Sequence, residues 1–204
     1  MPWPAPLQPG EYYHLYNRGI NAADLFYDDY DYWRFLDKYF QHTAQPIDTY
    51  AYCLMRNHFH LLIRVRTAEE QLEFIEQDPA RVRDPGRVLS PSQQLAHVCN
   101  SHTQSVNHRE KRTGSLFEKP FKRKLIGDLM YFRSAVTYIH WNPQSHGATD
   151  DFATYPYSSY GSFFLRKPSP LNQIEVLKHF GGLVRFEDYH RSIDLVIDEQ
   201  LERD

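Results

Sequence analysis

Two rhythms of hydrophobic and polar positions, one of period two and one of period three to four, divide the chain into elements. Residues 11–18 (EYYHLYNR) alternate and are rich in aromatic residues, which predicts a strand closed by Gly19. Residues 28–44 place Tyr32, Phe35, Leu36, Tyr39 and Phe40 on one helical stripe behind an acidic first turn, and Pro46 stops that helix. Residues 48–55 and 59–66 read as two strands joined by a tight connection at Arg56 and Asn57. A short acidic helix follows over 68–77, then a loop over 78–89 broken by Pro79, Pro85 and Gly86. Ser90 caps the next helix, Pro91 sits in its first turn, and it runs to about Lys111, ending before Gly114. Residues 116–126 predict a further strand. Asp128 caps a helix that reaches Trp141 and Asn142 and is expected to stop at Pro143. Aromatic loops (YPYSSYGSFF, 155–164), a short helix over 174–180 and a last helix over 186–201 complete the chain.

The order is β-α-β-β, a helical insertion, then β-α. That order fits an α+β fold: a ferredoxin-like, four-stranded antiparallel sheet with two helices on one face. Residues 1–10, with four prolines, form an irregular lead-in. Residues 11–150 form the main domain, and 151–204 a loop and helical extension packed on it.

Composition narrows the class. The chain has 204 residues, 41% hydrophobic and 24% charged, enough for a core without metal or disulfide staples. No run approaches the roughly 20 apolar residues of a membrane helix, and the N-terminus lacks a secretion signal. The two cysteines, Cys53 and Cys99, make neither a disulfide framework nor a C-x-x-C site. A cytoplasmic protein with no membrane partner is the expectation. The net charge of −3 hides a local basic segment: Arg109, Lys111, Arg112, Lys119, Lys122, Arg123 and Lys124 against only Glu110 and Glu118. Such a segment suits a polyanion-facing surface; a solvated charged loop is the plainer reading.

The chemistry is concentrated in two places. His58 and His60 are two apart on a predicted strand and so share a face, while Phe59 and Leu61 point to the core. Paired imidazoles can grip a divalent metal, although His-x-His also arises by chance as two solvent-facing strand residues. Tyr138 and Asn142 are four apart on the helix after the last strand, hence one turn from each other. An amide oxygen could complete a metal site beside the histidines, with the phenol next to it. Equally, Tyr138 could be a packing aromatic and Asn142 a cap before Pro143.

Five segments in register sharpen this: YHLYNRG (13–19), AYCLMRNHFHLLIRV (51–65), RTGSLFEKPFKRK (112–124), YIHWNP (138–143) and YPYSSY (155–160). Together they resemble the single-tyrosine HUH transposases of the smallest bacterial insertion sequences, including those associated with repetitive extragenic palindromes. The resemblance spans about 11–164. It implies His58 and His60 as metal ligands, Asn142 as the third, and Tyr138 as the nucleophile, with Tyr131 as fallback. It implies Mg²⁺ or Mn²⁺ as cofactor. The implied activity is a metal-dependent single-strand DNA endonuclease and transesterase that cuts beside hairpins through a 5′-phosphotyrosine and can rejoin strands; the alternative is a domesticated protein that binds DNA hairpins without cutting. Single-stranded or hairpin DNA is the implied partner, and family members occur both as homodimers and as monomers. Arg18, Arg109, Lys111, Arg112, Lys119, Lys122, Arg123 and Lys124 are candidates for holding the DNA backbone, and Tyr16 and Phe121 for stacking on bases. One departure is Arg56, where related chains often carry proline.

Overall fold

The computed structural model describes residues 6–77 and 87–192. Its centre is a four-stranded antiparallel sheet of β1 (Tyr12–Arg18), β2 (Ile47–Met55), β3 (His58–Val65) and β4 (Lys122–Ile126), in the order β2-β3-β1-β4. β1 pairs with β3 on one side and β4 on the other, the arrangement a ferredoxin-like split βαβ requires. Among the described residues six helices surround the sheet: α1 (Asp29–Thr43), α2 (Ala68–Gln77), α3 (Pro91–Arg109), α4 (Leu129–Ser145), α5 (Gln173–Phe180) and α6 (Leu183–Ser192).

Both faces of the sheet are covered. On one, Phe35, Leu36 and Tyr39 of α1 and Leu95, Val98 and Val106 of α3 pack on Leu15, Phe59, Leu61 and Ile63. The segment read as a helical insertion is therefore the second helix of the split βαβ frame. On the other face, Phe132, Ala135, Val136 and Ile139 of α4 pack on Ala51, Cys53 and Leu62. Burying a Leu, Ile or Phe side chain contributes roughly 1.5–3 kcal/mol, so each core strongly favours one register of β3.

Three boundaries differ from the sequence reading. The last strand begins at Lys122 rather than 116, although Phe117 still bridges Gly19. Pro120 has no N–H for a ladder, which confines regular pairing to the residues after it. At the other discrepancy, Pro143 lies inside α4, which continues to Ser145. Its missing N–H removes only the bond to Ile139, and the chain beyond holds because His146 N–H donates to Asn142 O at 3.1 Å and Ala148 N–H to Pro143 O at 2.8 Å. Finally, α6 starts at Leu183, earlier than expected; the part of the expected last helix beyond Ser192, and most of the 78–89 loop, lie outside the described residues.

Residues 152–190 share the α4-side core through Phe152, Tyr160, Phe163, Val176, Phe180 and Phe186. Leu54 N–H donates to Tyr157 O and Ser159 N–H to Tyr52 O, so this segment covers the outer edge of β2. A buried chain of hydrogen bonds ties it down. Tyr52 N–H donates to Ser159 Oγ at 2.9 Å, and Ser159 Oγ lies 2.8 Å from His140 Nε2. His140 Nδ1 is 2.9 Å from His190 Nε2, and His190 Nδ1–H donates to Phe186 O at 2.7 Å. Because the last acceptor is a carbonyl, each neutral imidazole has only one consistent tautomer.

Burial pushes His140 well below the ordinary histidine range and His190 down to about 4. Both folded values lie below 6.5, so the unfolded chain binds more protons, and stability present above pH 6.5 is lost as pH falls toward 4. His190→Gln is expected to lower Tm at pH 7.5 by roughly 2–10 °C, for about 1–3 kcal/mol lost. It is also expected to flatten the fall in Tm between pH 6.5 and 4, read by thermal melts across that range.

Candidate active site

The site lies where β3 begins and α4 ends. The alternation of β3 sends Phe59 and Leu61 to the α1–α3 core and His58 and His60 to the α4 side, as their spacing predicts. Their rings are 5.2 Å apart, centre to centre, and nearly perpendicular. Asn142, fully buried on α4, brings Oδ1 to 2.9 Å from His58 Nε2. The Tyr138 ring lies 5.5 Å from that of His60, edge to face. The four residues singled out from the sequence thus meet in one place. Tyr131 is seven residues earlier, about 10 Å along the helix axis, and does not line the cleft.

A cleft of about 490 Å³ opens onto this group, walled by Tyr16, Arg18, Asn57, Glu118, Lys122 and His146. Its rim is fixed at Gly19, whose N–H donates to Asn57 O at 2.8 Å; a Cβ there would lie 1.9 Å from Ala23 O, so no other residue fits.

Electrostatics keep the imidazoles neutral. Burial lowers His58, and it lowers His60 further with help from the neighbouring histidines. A neutral imidazole carries one N–H, and Asn57 Oδ1, 2.7 Å from His58 Nδ1, is a pure acceptor. Asn142 Oδ1 is likewise an acceptor facing Nε2, so a neutral ring can donate to only one of the two, and with its proton on Nδ1 His58 Nε2 faces Asn142 Oδ1 lone pair to lone pair. Turning the amide over would give Nε2 a donor but would leave Oδ1 buried without a partner; as it stands, the unpartnered buried atom is Asn142 Nδ2. A shared cation resolves the opposition of lone pairs. The 2.9 Å separation equals that of adjacent ligands around an octahedral ion with bonds of about 2.0–2.1 Å. The His60 nitrogen not facing β1 makes no hydrogen bond among the described residues. Two imidazole nitrogens and an amide oxygen therefore fit a divalent ion. Among the described residues no cluster of three His, Cys, Asp or Glu could do so.

No family model matches the chain. A Haemophilus influenzae protein, provisionally named a REP-associated tyrosine transposase, is 25% identical over 115 residues, which cover 56% of this chain and 60% of that relative. A solved structure of a REP-associated tyrosine transposase bound to a REP hairpin superposes with a TM-score of 0.61 at 14% identity, over 82% of this chain and 88% of that one. The chain is thus similar in sequence, over part of its length, to one REP-associated tyrosine transposase and in fold to another. With the Haemophilus protein it shares about three-fifths of that protein's length, and with the solved structure it shares the fold.

The basic residues do not form one surface. Strand alternation splits 122–124. Lys122 and Lys124 pair with Tyr16 and His14 and share their face, with both ammoniums near the Tyr16 ring, at 5.8 and 5.9 Å. Arg123 points to the opposite face over Phe121, at 4.5 Å. Phe121 also lines the inner pocket of the α1–α3 core. Arg18 lines the cleft and pairs with Glu118 at 2.6 Å. Arg109 is bound to the buried carboxylate of Asp31 and also to Asp28 and Glu110, and these bonds raise its pKa. Arg56 reaches Asp24 at 2.7 Å. Lys111, Arg112 and Lys119 are not among the residues lining the cleft.

Three further residues in or behind the site escaped the sequence reading. His14 Nε2 is 2.9 Å from His60 Nδ1. The His146 ring is 5.0 Å from that of His58. Asn57 holds His58 Nδ1. His14 carried a usable signal, since antiparallel pairing of β1 with β3 brings it beside His60. His146 follows Pro143, past the expected helix end, and carried none.

The basic residues should therefore separate by assay. Arg109→Ala is expected to cost roughly 2–3 kcal/mol by stranding Asp31, read as a drop in Tm, with little change in the salt dependence of oligonucleotide binding. Lys122→Ala should instead leave Tm within about 2 °C. It should reduce the slope of log K against log[salt] by about 0.7–0.9, read by fluorescence anisotropy.

Proposed function

We propose that the chain is a divalent-metal-dependent endonuclease and strand transferase acting on single-stranded DNA beside a hairpin. The observation that carries the proposal is the placement of one phenol, Tyr138, against the His60 ring, beside the His58–Asn142 pair.

His58, His60 and Asn142 would hold the ion. When bound, a divalent cation withdraws charge from a phosphate oxygen and orients the group for in-line attack. The phenolic oxygen of Tyr138 attacks phosphorus, the bond to the 3′ oxygen breaks, the phenol gives up its proton, and the departing 3′ oxygen takes one up. The products are a 5′-phosphotyrosine and a free 3′-hydroxyl. Because the phosphodiester energy is retained in the covalent link, attack by another 3′-hydroxyl rejoins a strand and restores the phenol. Tyr138 lies on a helix packed into the α4-side core, which limits its freedom relative to the histidines.

A cleft of about 490 Å³ accepts a nucleotide-sized group with its bases unpaired, not a duplex. Lys122 and Arg18 line it and suit the flanking phosphates, and Lys124 shares the face of Lys122 on β4. Tyr16 offers a ring face for stacking. Hairpin recognition is proposed here by analogy with the solved relative, whose structure is bound to a REP hairpin.

The test uses 3′-labelled oligonucleotides with a hairpin and randomised single-stranded flanks, with Mn²⁺. The wild-type chain is expected to form a covalent adduct that EDTA prevents. Tyr138→Phe should reduce it more than 10³-fold, while Tyr131→Phe should not. Binding without cutting would favour a hairpin-binding protein, and cutting that survives Tyr138→Phe would favour attack by water. Either result overturns the proposal.

A further inference from the structure

We propose that His14 is a positioning residue that fixes the orientation and tautomer of His60; this rests on the metal-site reading above. His14 lies in β1 and its side chain faces the α4 side of the sheet, with no exposed surface. Its Nε2 is 2.9 Å from His60 Nδ1, and the two rings stack 5.1 Å apart. The strand register imposes this contact, because His14 pairs with Leu62 and Tyr16 with His60, which makes His14 and His60 diagonal neighbours on one face.

The consequence is chemical. Neutral His60 has a single ring proton. For its other nitrogen to offer a lone pair to the cleft, that proton must sit on Nδ1, and among the described residues the only acceptor for Nδ1 is His14 Nε2. His14 then carries its own proton on Nδ1, a fully buried atom without a hydrogen-bond partner among the described residues. A buried, unsatisfied donor costs about 1–3 kcal/mol, so a residue serving the fold alone would be better replaced by an apolar one. Tyr16, stacked on His60 and tilted against His14, and Tyr138, edge-on to His14, limit rotation of the pair. A neutral acceptor behind a metal-binding histidine also increases the basicity of its free nitrogen, a role that elsewhere costs 10–100-fold in metal affinity when removed.

The experiment combines two readouts on the full chain: two-bond ¹H–¹⁵N spectra that report the tautomer of His60 without metal, and Mn²⁺ affinity from the spin-resonance signal of free Mn²⁺. The wild-type His60 is expected as the Nδ1–H tautomer. His14→Leu should release it to a mixture and weaken Mn²⁺ binding 10–100-fold. His14→Gln, whose amide oxygen can accept the same hydrogen bond, should keep the tautomer and stay within about threefold of wild type in affinity. A wild-type His60 protonated on Nε2, or unchanged tautomer and affinity in His14→Leu, would overturn the inference. If His14→Leu fails to fold, the wild-type tautomer and the Gln variant still decide it. Should the wild-type chain show the Nδ1–H tautomer yet bind no Mn²⁺, the positioning by His14 stands and the metal reading falls.

Discussion

The site depends on burial of β3 on both faces. An edge strand with one wet face could slip by a residue, and the slip would turn every side chain to the other side. Here Phe59, Leu61, Ile63 and Val65 are fixed in one core while Leu62 is fixed in the other. His58 and His60 therefore have no alternative orientation that preserves both cores. The second half of the constraint comes from α4. Ala135, Val136 and Ile139 have no exposed surface, and they bring the helix down onto the sheet so that Tyr138 and Asn142, one turn apart, arrive beside the histidines. Two periods, two residues in a strand and about four in a helix, converge at one point because hydrophobic packing sets the distance between the elements that carry them.

The legible part of the molecule follows from that convergence. A strand's two-residue period and a helix's four-residue spacing are local properties, so His58 with His60, and Tyr138 with Asn142, could be picked from sequence. The element order that gives the sheet could be picked as well. What was hidden is of two kinds. Pairing between distant strands decided the neighbours of His60, so the signal at position 14 becomes usable only once the register of β1 on β3 is fixed. Alternation within β4 decided which cations face the cleft: a run of basic residues at 122–124 is a single feature in sequence, whereas the sheet divides it between two faces. Pro143 misled for a different reason. Its missing hydrogen bond matters less near a helix end that is held by the bonds of His146 and Ala148.

Charge distribution completes the picture. A chain of net charge −3 is an unlikely partner for a polyanion only if its charges are spread evenly. They are not. Asp24 engages Arg56, and Asp28, Asp31 and Glu110 engage Arg109, so part of the acidic residues is matched by arginines outside the cleft. Among the described residues that line the cleft the one carboxylate, Glu118, is paired with Arg18, and burial lowers the pKa of the imidazoles. The Lys122 ammonium lines the same cleft, where charges interact more strongly than in bulk water. The potential felt by a phosphate at the cleft is set by these few groups, because charges more than about 10 Å away through solvent are screened at ordinary ionic strength. Neutral histidines add a further condition. An imidazole that stayed protonated would repel a cation, so the burial that removes its charge also makes its lone pair available, and packing of the α4-side core thereby prepares the donor set electrostatically as well as geometrically.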